Sequence, residues 1–162
     1  AWGGCSGQNK KRIVNIQKRA IRTVSKSYFN SHTEPRMKLL GILKLDELYN
    51  QQCVTLIHDT IHKRVPLPLQ ELLVKDSEES NYNLRNHHRD PNHLKTPIPR
   101  CKTTTNGFCY QGPLQWNAVP RELQDIQEKH VFKYRYKKYL LDSYSIATNC
   151  SNPNCNDRRH HH

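Results

Sequence analysis

The six glycines of this 162-residue chain are scattered. They therefore build no Gly-rich phosphate loop of the Walker or dinucleotide-binding kind. No G-x-S-x-G nucleophile turn occurs. The 14 Asp and Glu do not cluster as a two-metal nuclease site requires. No apolar run approaches the roughly 18–20 residues of a membrane helix. The polar, basic stretch at residues 8–12 has no apolar segment beside it, so no signal peptide is read. With no secretory signal, the six cysteines are expected to be reduced thiols. These absences predict a non-enzymatic, intracellular chain, nuclear or cytoplasmic, with no membrane partner. The first residue is Ala1 and not Met, which points to a fragment or a processed product.

What the chain does have is positive charge. Its net charge is +12 and its pI is about 9.6. A surplus of that size favours a polyanionic partner, most simply RNA or DNA. Hydrophobic residues make up 35%, below the usual globular share, so the core should be thin.

Periodicity predicts a mainly α fold: a small helical bundle with a short β-like segment and irregular linkers. Residues 8–28 read as a helix. One face would carry Ile13, Ile16, Ala20, Ile21, Val24 and Tyr28. The other would carry Lys11, Asn15, Lys18, Arg19, Arg22 and Lys26, with no acidic residue among them. Such a one-signed face suits phosphate, because each cation can replace a condensed counterion. Thr33 is a candidate N-cap, with Pro35 in a first turn and Gly41 closing a short helix. Asp46 would cap a long helix running to about residue 64. Its apolar stripe (Leu45, Leu48, Tyr49, Cys53, Leu56, Ile57, Ile61) is expected to pack on the first helix. Residues 67–74 add a turn or two of helix. Composition then separates four regions: a helical subdomain at 1–74, a polar linker at 75–99, a strand-turn-helix subdomain at 100–144, and a disordered tail at 145–162. In the third, residues 101–110 are strand-like and Asn106-Gly107 is a candidate tight turn. Gly112-Pro113 is a turn before a short helix around Trp116, which is expected to be buried. Cys101 and Cys109 are expected as core thiols. The last helix mixes Lys133, Arg135, Lys137 and Lys138 with Tyr134, Tyr136 and Tyr139. Arg100 and Lys102 join this second basic group.

Two constellations could bind metal. His58 and His62 are one helical turn apart with Asp59 between them, a spacing that resembles the His-Glu-x-x-His zinc hydrolases, but no third ligand stands out. That pair supports only a remote zinc metallohydrolase alternative. Cys150, Cys155 and His160 give a Cys-x4-Cys-x4-His spacing that could hold zinc, although a structural site needs four ligands and the terminal histidines could belong to a tag.

Residues 100–120 read RCKTTTNGFCYQGPLQWNAVP. The elements Arg100-Cys101, Phe108, Tyr110-Gln111-Gly112-Pro113, Leu114-Gln115-Trp116-Asn117 and Pro120 stand in an order that resembles the region after the polymerase core of non-LTR retrotransposon reverse transcriptases. Trp2-Gly3-Gly4-Cys5, the helix Ile16-Gln17-Lys18-Arg19-Ala20-Ile21-Arg22, His32-Thr33-Glu34-Pro35, Leu40-Gly41-Ile42-Leu43, Asp46-Glu47-Leu48-Tyr49, and Phe132-Lys133 through Leu141 follow the same family's order. The palm motif Phe/Tyr-x-Asp-Asp is absent, as is the family's endonuclease domain. The resemblance therefore implies a C-terminal, post-thumb piece without polymerase activity, one that helps hold template RNA or the target-primed duplex. A structural or protein-interaction module is the alternative expectation.

Overall fold

The structure is a computed structural model, and it describes residues 7–71, 73, 93–98, 105 and 107–144. Those residues are mainly helical. In chain order the helices are α1 (Gly7–Val24), α2 (Glu34–Leu40), α3 (Leu45–Ile61), α4 (Leu67–Gln70), α5 (Phe108–Asn117), α6 (Arg121–Gln124) and α7 (Lys129–Asp142). No helix among the described residues is long and apolar enough to cross a membrane.

The first three helices end in one way. In each, the N–H two residues past the cap reaches back five residues and the N–H before it reaches back three. Ser27 N–H donates to Arg22 O at 2.9 Å and Lys26 N–H to Thr23 O at 3.2 Å. Ile42 and Gly41 do the same on Met37 and Lys38, and Arg64 and Lys63 on Asp59 and Thr60. The geometry needs a left-handed residue, and the three are Lys26 (φ 49), Gly41 (φ 63) and Lys63 (φ 55). Gly41 closes α2 as its sequence predicts. Residues 8–28 do not form one helix, because Lys26 turns the chain after Val24 without a glycine to announce it. Thr33 holds the N-cap position of α2 but makes no side-chain cap bond. Asp46 lies inside the first turn of α3, where it pairs with Lys10.

Residues 108–110 correct the strand-like reading. They form the first turn of α5, and Gly112-Pro113 continues that helix in place of turning it. Pro113 removes one backbone donor, which leaves a single missing helix bond, to the carbonyl of Cys109. Gly112 is required by packing. A Cβ there would stand 2.9 Å from Ile57 Cδ1 and 3.2 Å from Phe108 Cε2, so the glycine lets α5 lie against α3. Cys109 is exposed and is not a core thiol; Cys101 lies outside the described residues.

The chain divides into two compact units. One is Ala1–Leu48 with Lys137–His162, and the other is Tyr49–Tyr136. This differs from a linear division at 1–74 and 100–144. The chain rejoins its beginning through Tyr144, whose hydroxyl donates to Glu47 and accepts from Lys44 N–H at 2.8 Å. The first unit's core is Ile21, Met37, Leu43 and Tyr144, with Leu140 and Leu141 packed on it. Gln17 braces that core by donating to Leu43 O at 2.8 Å and accepting from Leu45 N–H at 3.2 Å.

The second unit is built on rings. Trp116, Phe132 and His58 are all at most 1% exposed. Phe132 stacks on His58 at 4.3 Å and on Tyr136 at 5.9 Å, and Trp116 meets Phe132 at 6.0 Å. Trp116 is buried as its sequence context predicts. Leu94 is also buried, inside a stretch that composition reads as surface linker. Its backbone N–H and C=O are both bonded at 2.9 Å to the side-chain amide of Asn117. That amide does the work of a neighbouring strand. Within α3 the predicted stripe is only partly right. Cys53 and Ile57 are buried, but so are Gln51, Thr55, His58, Asp59 and Thr60, whereas Leu48 is exposed. The threonines can be buried because their hydroxyls donate to carbonyls one turn back, Thr55 to Gln51 O and Thr60 to Leu56 O.

Candidate nucleic-acid interface

Helix α1 turns its core side differently from the expected stripe. Ile21 is buried, and Ile13, Val14 and Gln17 are half-buried. Ile16 and Val24, expected inside, are 65% and 67% exposed, and Tyr28 is 56% exposed. The polar Gln17 replaces them because its amide satisfies the backbone at residues 43 and 45. That contact is remote in sequence, so periodicity does not show it.

The basic residues of this stretch lie mostly outward. Lys11, Lys18 and Arg19 are exposed on α1, and Lys26 is exposed in the turn that follows. At about 100° per residue, Lys11, Lys18, Arg19 and Arg22 fall within roughly 100° of the helix circumference. The helix contains no Asp or Glu. Among the described residues Lys11, Lys18, Arg19 and Lys26 have no carboxylate partner. Lys10 is spent on Asp46 and Lys44 on Glu34, the latter at 2.8 Å. Arg22 is only partly available, being half-buried, with its Nε donating to Ser31 O at 3.0 Å.

Two hollows in the first unit border this face. One of about 400 Å³ is lined by Lys18, Arg22, Ser31, Glu34, Lys44 and Asp46, among others. Its two carboxylates are neutralised by Lys44 and Lys10, so Lys18 and Arg22 leave it positive. The Oγ of Ser31 is buried there without a hydrogen-bond partner. The other, of about 460 Å³, brings together Lys11, Asn15 and Lys18. Chemically the face can neutralise several phosphates but offers no activated nucleophile.

On α7, Lys133, Arg135 and Lys138 are exposed and Lys137 is half-buried, while Tyr134 is 70% and Tyr139 46% exposed. Tyr136 is not part of this surface, being buried against Phe132. Arg100 and Lys102 lie outside the described residues, as do the zinc candidates Cys150, Cys155 and His160 and the whole tail.

His58 and His62 do meet, with ring centroids 4.4 Å apart, but as part of the packing. His58 Nε2 lies 2.6 Å from Ile126 O. Asp59, which a hydrolase would need near a bound water, instead pairs with Lys129 at 2.6 Å. Burial pushes the pKa of both imidazoles down, with Arg64 adding to it, and His62 lowers that of His58 further. No group of three His, Cys, Asp or Glu able to hold a metal occurs among the described residues.

No family model, curated protein or solved structure matches the chain.

Proposed function

We propose that this chain is a non-catalytic nucleic-acid-contacting module that grips the sugar-phosphate backbone of RNA or DNA. The observation that carries the reading is the face of α1 and its following turn: Lys11, Lys18, Arg19 and Lys26 are exposed, of one sign and free of carboxylate partners among the described residues. An ordinary solvated helix mixes charges and offsets them at i,i+4. An unneutralised face holds counterions that a phosphate backbone releases on binding. Lys133, Arg135, Lys137 and Lys138 of α7 supply a second group. The likeness of its motifs to the post-thumb region of non-LTR retrotransposon reverse transcriptases adds a setting. There such a module holds template or primer during target-primed reverse transcription, in nucleus or cytoplasm.

The test is a mobility-shift titration on RNA, hybrid and duplex DNA across a salt series. The variant is Lys11→Gln/Lys18→Gln/Arg19→Gln, which spares Arg22 because of its bond to Ser31. Affinity should fall on every sequence alike, and the slope of log affinity against log salt should shrink by about three units. An unchanged slope overturns the assignment. A second reading, a protein-interaction module, draws on the exposed apolar strip of Ile16 and Val24. Binding to a protein through that strip would be nearly indifferent to salt.

A further inference from the structure

The turn that follows α1 carries two aromatic side chains that are largely uncovered. Tyr28 is 56% exposed and Phe29 is 86% exposed. A single exposed apolar residue is ordinary, but these two are adjacent and sit on a turn that is tied down along its length. Ser25 Oγ donates to Ile21 O at 2.7 Å and lies 2.7 Å from Ser27 Oγ. Ser27 N–H closes back on Arg22 O at 2.9 Å. Ser31 N–H donates to Tyr28 O at 3.1 Å, and Ser31 O accepts from Arg22 Nε at 3.0 Å. The backbone of residues 25–31 is thus held at both ends by α1. Such a turn keeps the rings out in water, where a loose one could fold them inward.

The surroundings say what would cover them. Lys26 stands two residues before Tyr28, exposed and left-handed, and the unpaired cations of α1 continue from it. A wholly apolar partner would have to desolvate those charges. A nucleic-acid duplex matches the charges but hides its base faces in the stack. A single strand offers both an anionic backbone and open π-faces, and stacking on exposed aromatics is how such strands are held without sequence preference.

We infer that residues 25–31 form a base-stacking platform for single-stranded nucleic acid, with Phe29 and Tyr28 taking unpaired bases and Lys26 an adjoining phosphate. The inference rests on the reading given under Proposed function and narrows its substrate to unpaired strands. RNA and DNA share this chemistry, and they differ in the ribose hydroxyl and the thymine methyl.

The experiment uses the full chain and fluorescence anisotropy on labelled oligo-uridylate, oligo-deoxyuridylate and a blunt DNA duplex, each about 12 nucleotides long to fit one binding site. The variants are Phe29→Ala, Tyr28→Ala and Phe29→Trp. Because both side chains are exposed, the thermal melt should be unchanged, which separates lost binding from lost folding. Phe29→Ala should weaken single-strand binding about tenfold or more, while duplex affinity and the salt slope stay as in the parent chain. Phe29→Trp should keep or strengthen single-strand binding. Preference for oligo-uridylate over oligo-deoxyuridylate would assign the platform to RNA, and equal affinity would assign it to either strand type. If Phe29→Ala binds single strands like the parent chain, or loses duplex binding to the same degree, the platform is refuted while the α1 reading stands. If no probe binds in a salt-dependent way, the α1 reading falls and the platform with it.

Discussion

The two units of this chain use their residues in opposite ways. Among the described residues the first unit holds twelve Lys and Arg against four Asp and Glu, and the second holds seven against five. The first gathers four buried core residues and leaves Ile16, Val24, Tyr28, Phe29 and Leu39 more than half exposed. The second closes Trp116, Phe132, Tyr136, Val54, Ile57 and Leu94 over a histidine. Net positive charge destabilises a compact state by self-repulsion, and a thin core offers little to offset it. On the proposed reading the first unit serves contact and the second persistence. The second unit buries Gln51, Thr55 and Thr60 with a hydrogen bond to each, while His58 Nδ1, Asp59 Oδ1 and Gln124 Oε1 are buried there without one.

The sharpest way to break this contrast is to remove the ring at the centre of the second unit. Trp116→Ala deletes an indole that is 1% exposed and touches both Phe132 and His58. It should cost about 3–5 kcal/mol of stability, measured by urea unfolding. The share of nucleic-acid affinity carried by α1 should not change on the still-folded fraction, because no exposed cation of α1 depends on this ring. Near-parental stability would show that the second unit is no more persistent than the first.

Trp116 also shows how much of the fold was legible. Its burial follows from the apolar residues around it in sequence, and the end of α2 follows from Gly41. The packing of α5 does not, because Gly112-Pro113 reads as a turn until Ile57 is seen 2.9 Å from where a Cβ would be. Leu94 belongs to a polar stretch, and only Asn117, 23 residues away, makes its burial possible. The ends of α1 and α3 are hidden because lysine carries no sequence signal for the left-handed conformation. In the candidate site, the missing acidic residues of α1 are readable directly. The diversion of Arg22 to Ser31 and the exposure of Tyr28 are not, because both arise from the turn's hydrogen bonds. Helical periodicity placed Tyr28 on an apolar face that ends before reaching it.

Acid should separate the units less severely. Burial holds the His58 imidazole below its ordinary pKa of about 6.5, with His62 and Arg64 also opposing its charge and the Ile126 carbonyl and Asp59 favouring it. In this case the unfolded chain binds the proton more readily than the folded one. The second unit's stability is therefore fully present above about pH 6.5 and falls as the pH drops below it, by at most about 1.4 kcal/mol per pH unit for this one group. Urea midpoints followed by Trp116 emission in a Trp2→Phe background should decline from pH 7 to pH 5. His58→Gln, which keeps a donor for Ile126 O, should flatten that decline. An equally steep decline in the variant would assign the acid sensitivity elsewhere.

The smallest effect sharpens the comparison most, because one substitution can be made in both units at the same structural position. Lys26 ends α1 and Lys63 ends α3, each in the left-handed conformation, at φ 49 and φ 55. A side chain there crowds the backbone by about 1–2 kcal/mol, and glycine relieves it. Glycine also frees the unfolded chain, which returns part of the gain. Lys26→Gly and Lys63→Gly should each raise stability by about 0.5–1 kcal/mol, visible as a shift of a few degrees in the thermal midpoint. They should part company in binding. Lys26 adjoins the cationic face of α1 and the aromatic turn, so its loss should lower nucleic-acid affinity and reduce the salt slope by about one unit. Lys63 belongs to the second unit, and its loss should leave both nearly unchanged. Strain retained at Lys26 for the sake of contact, but at Lys63 for none, is the outcome the contrast requires. Equal binding losses in the two variants would mean that the chain attracts nucleic acid by its overall charge and not through a built face.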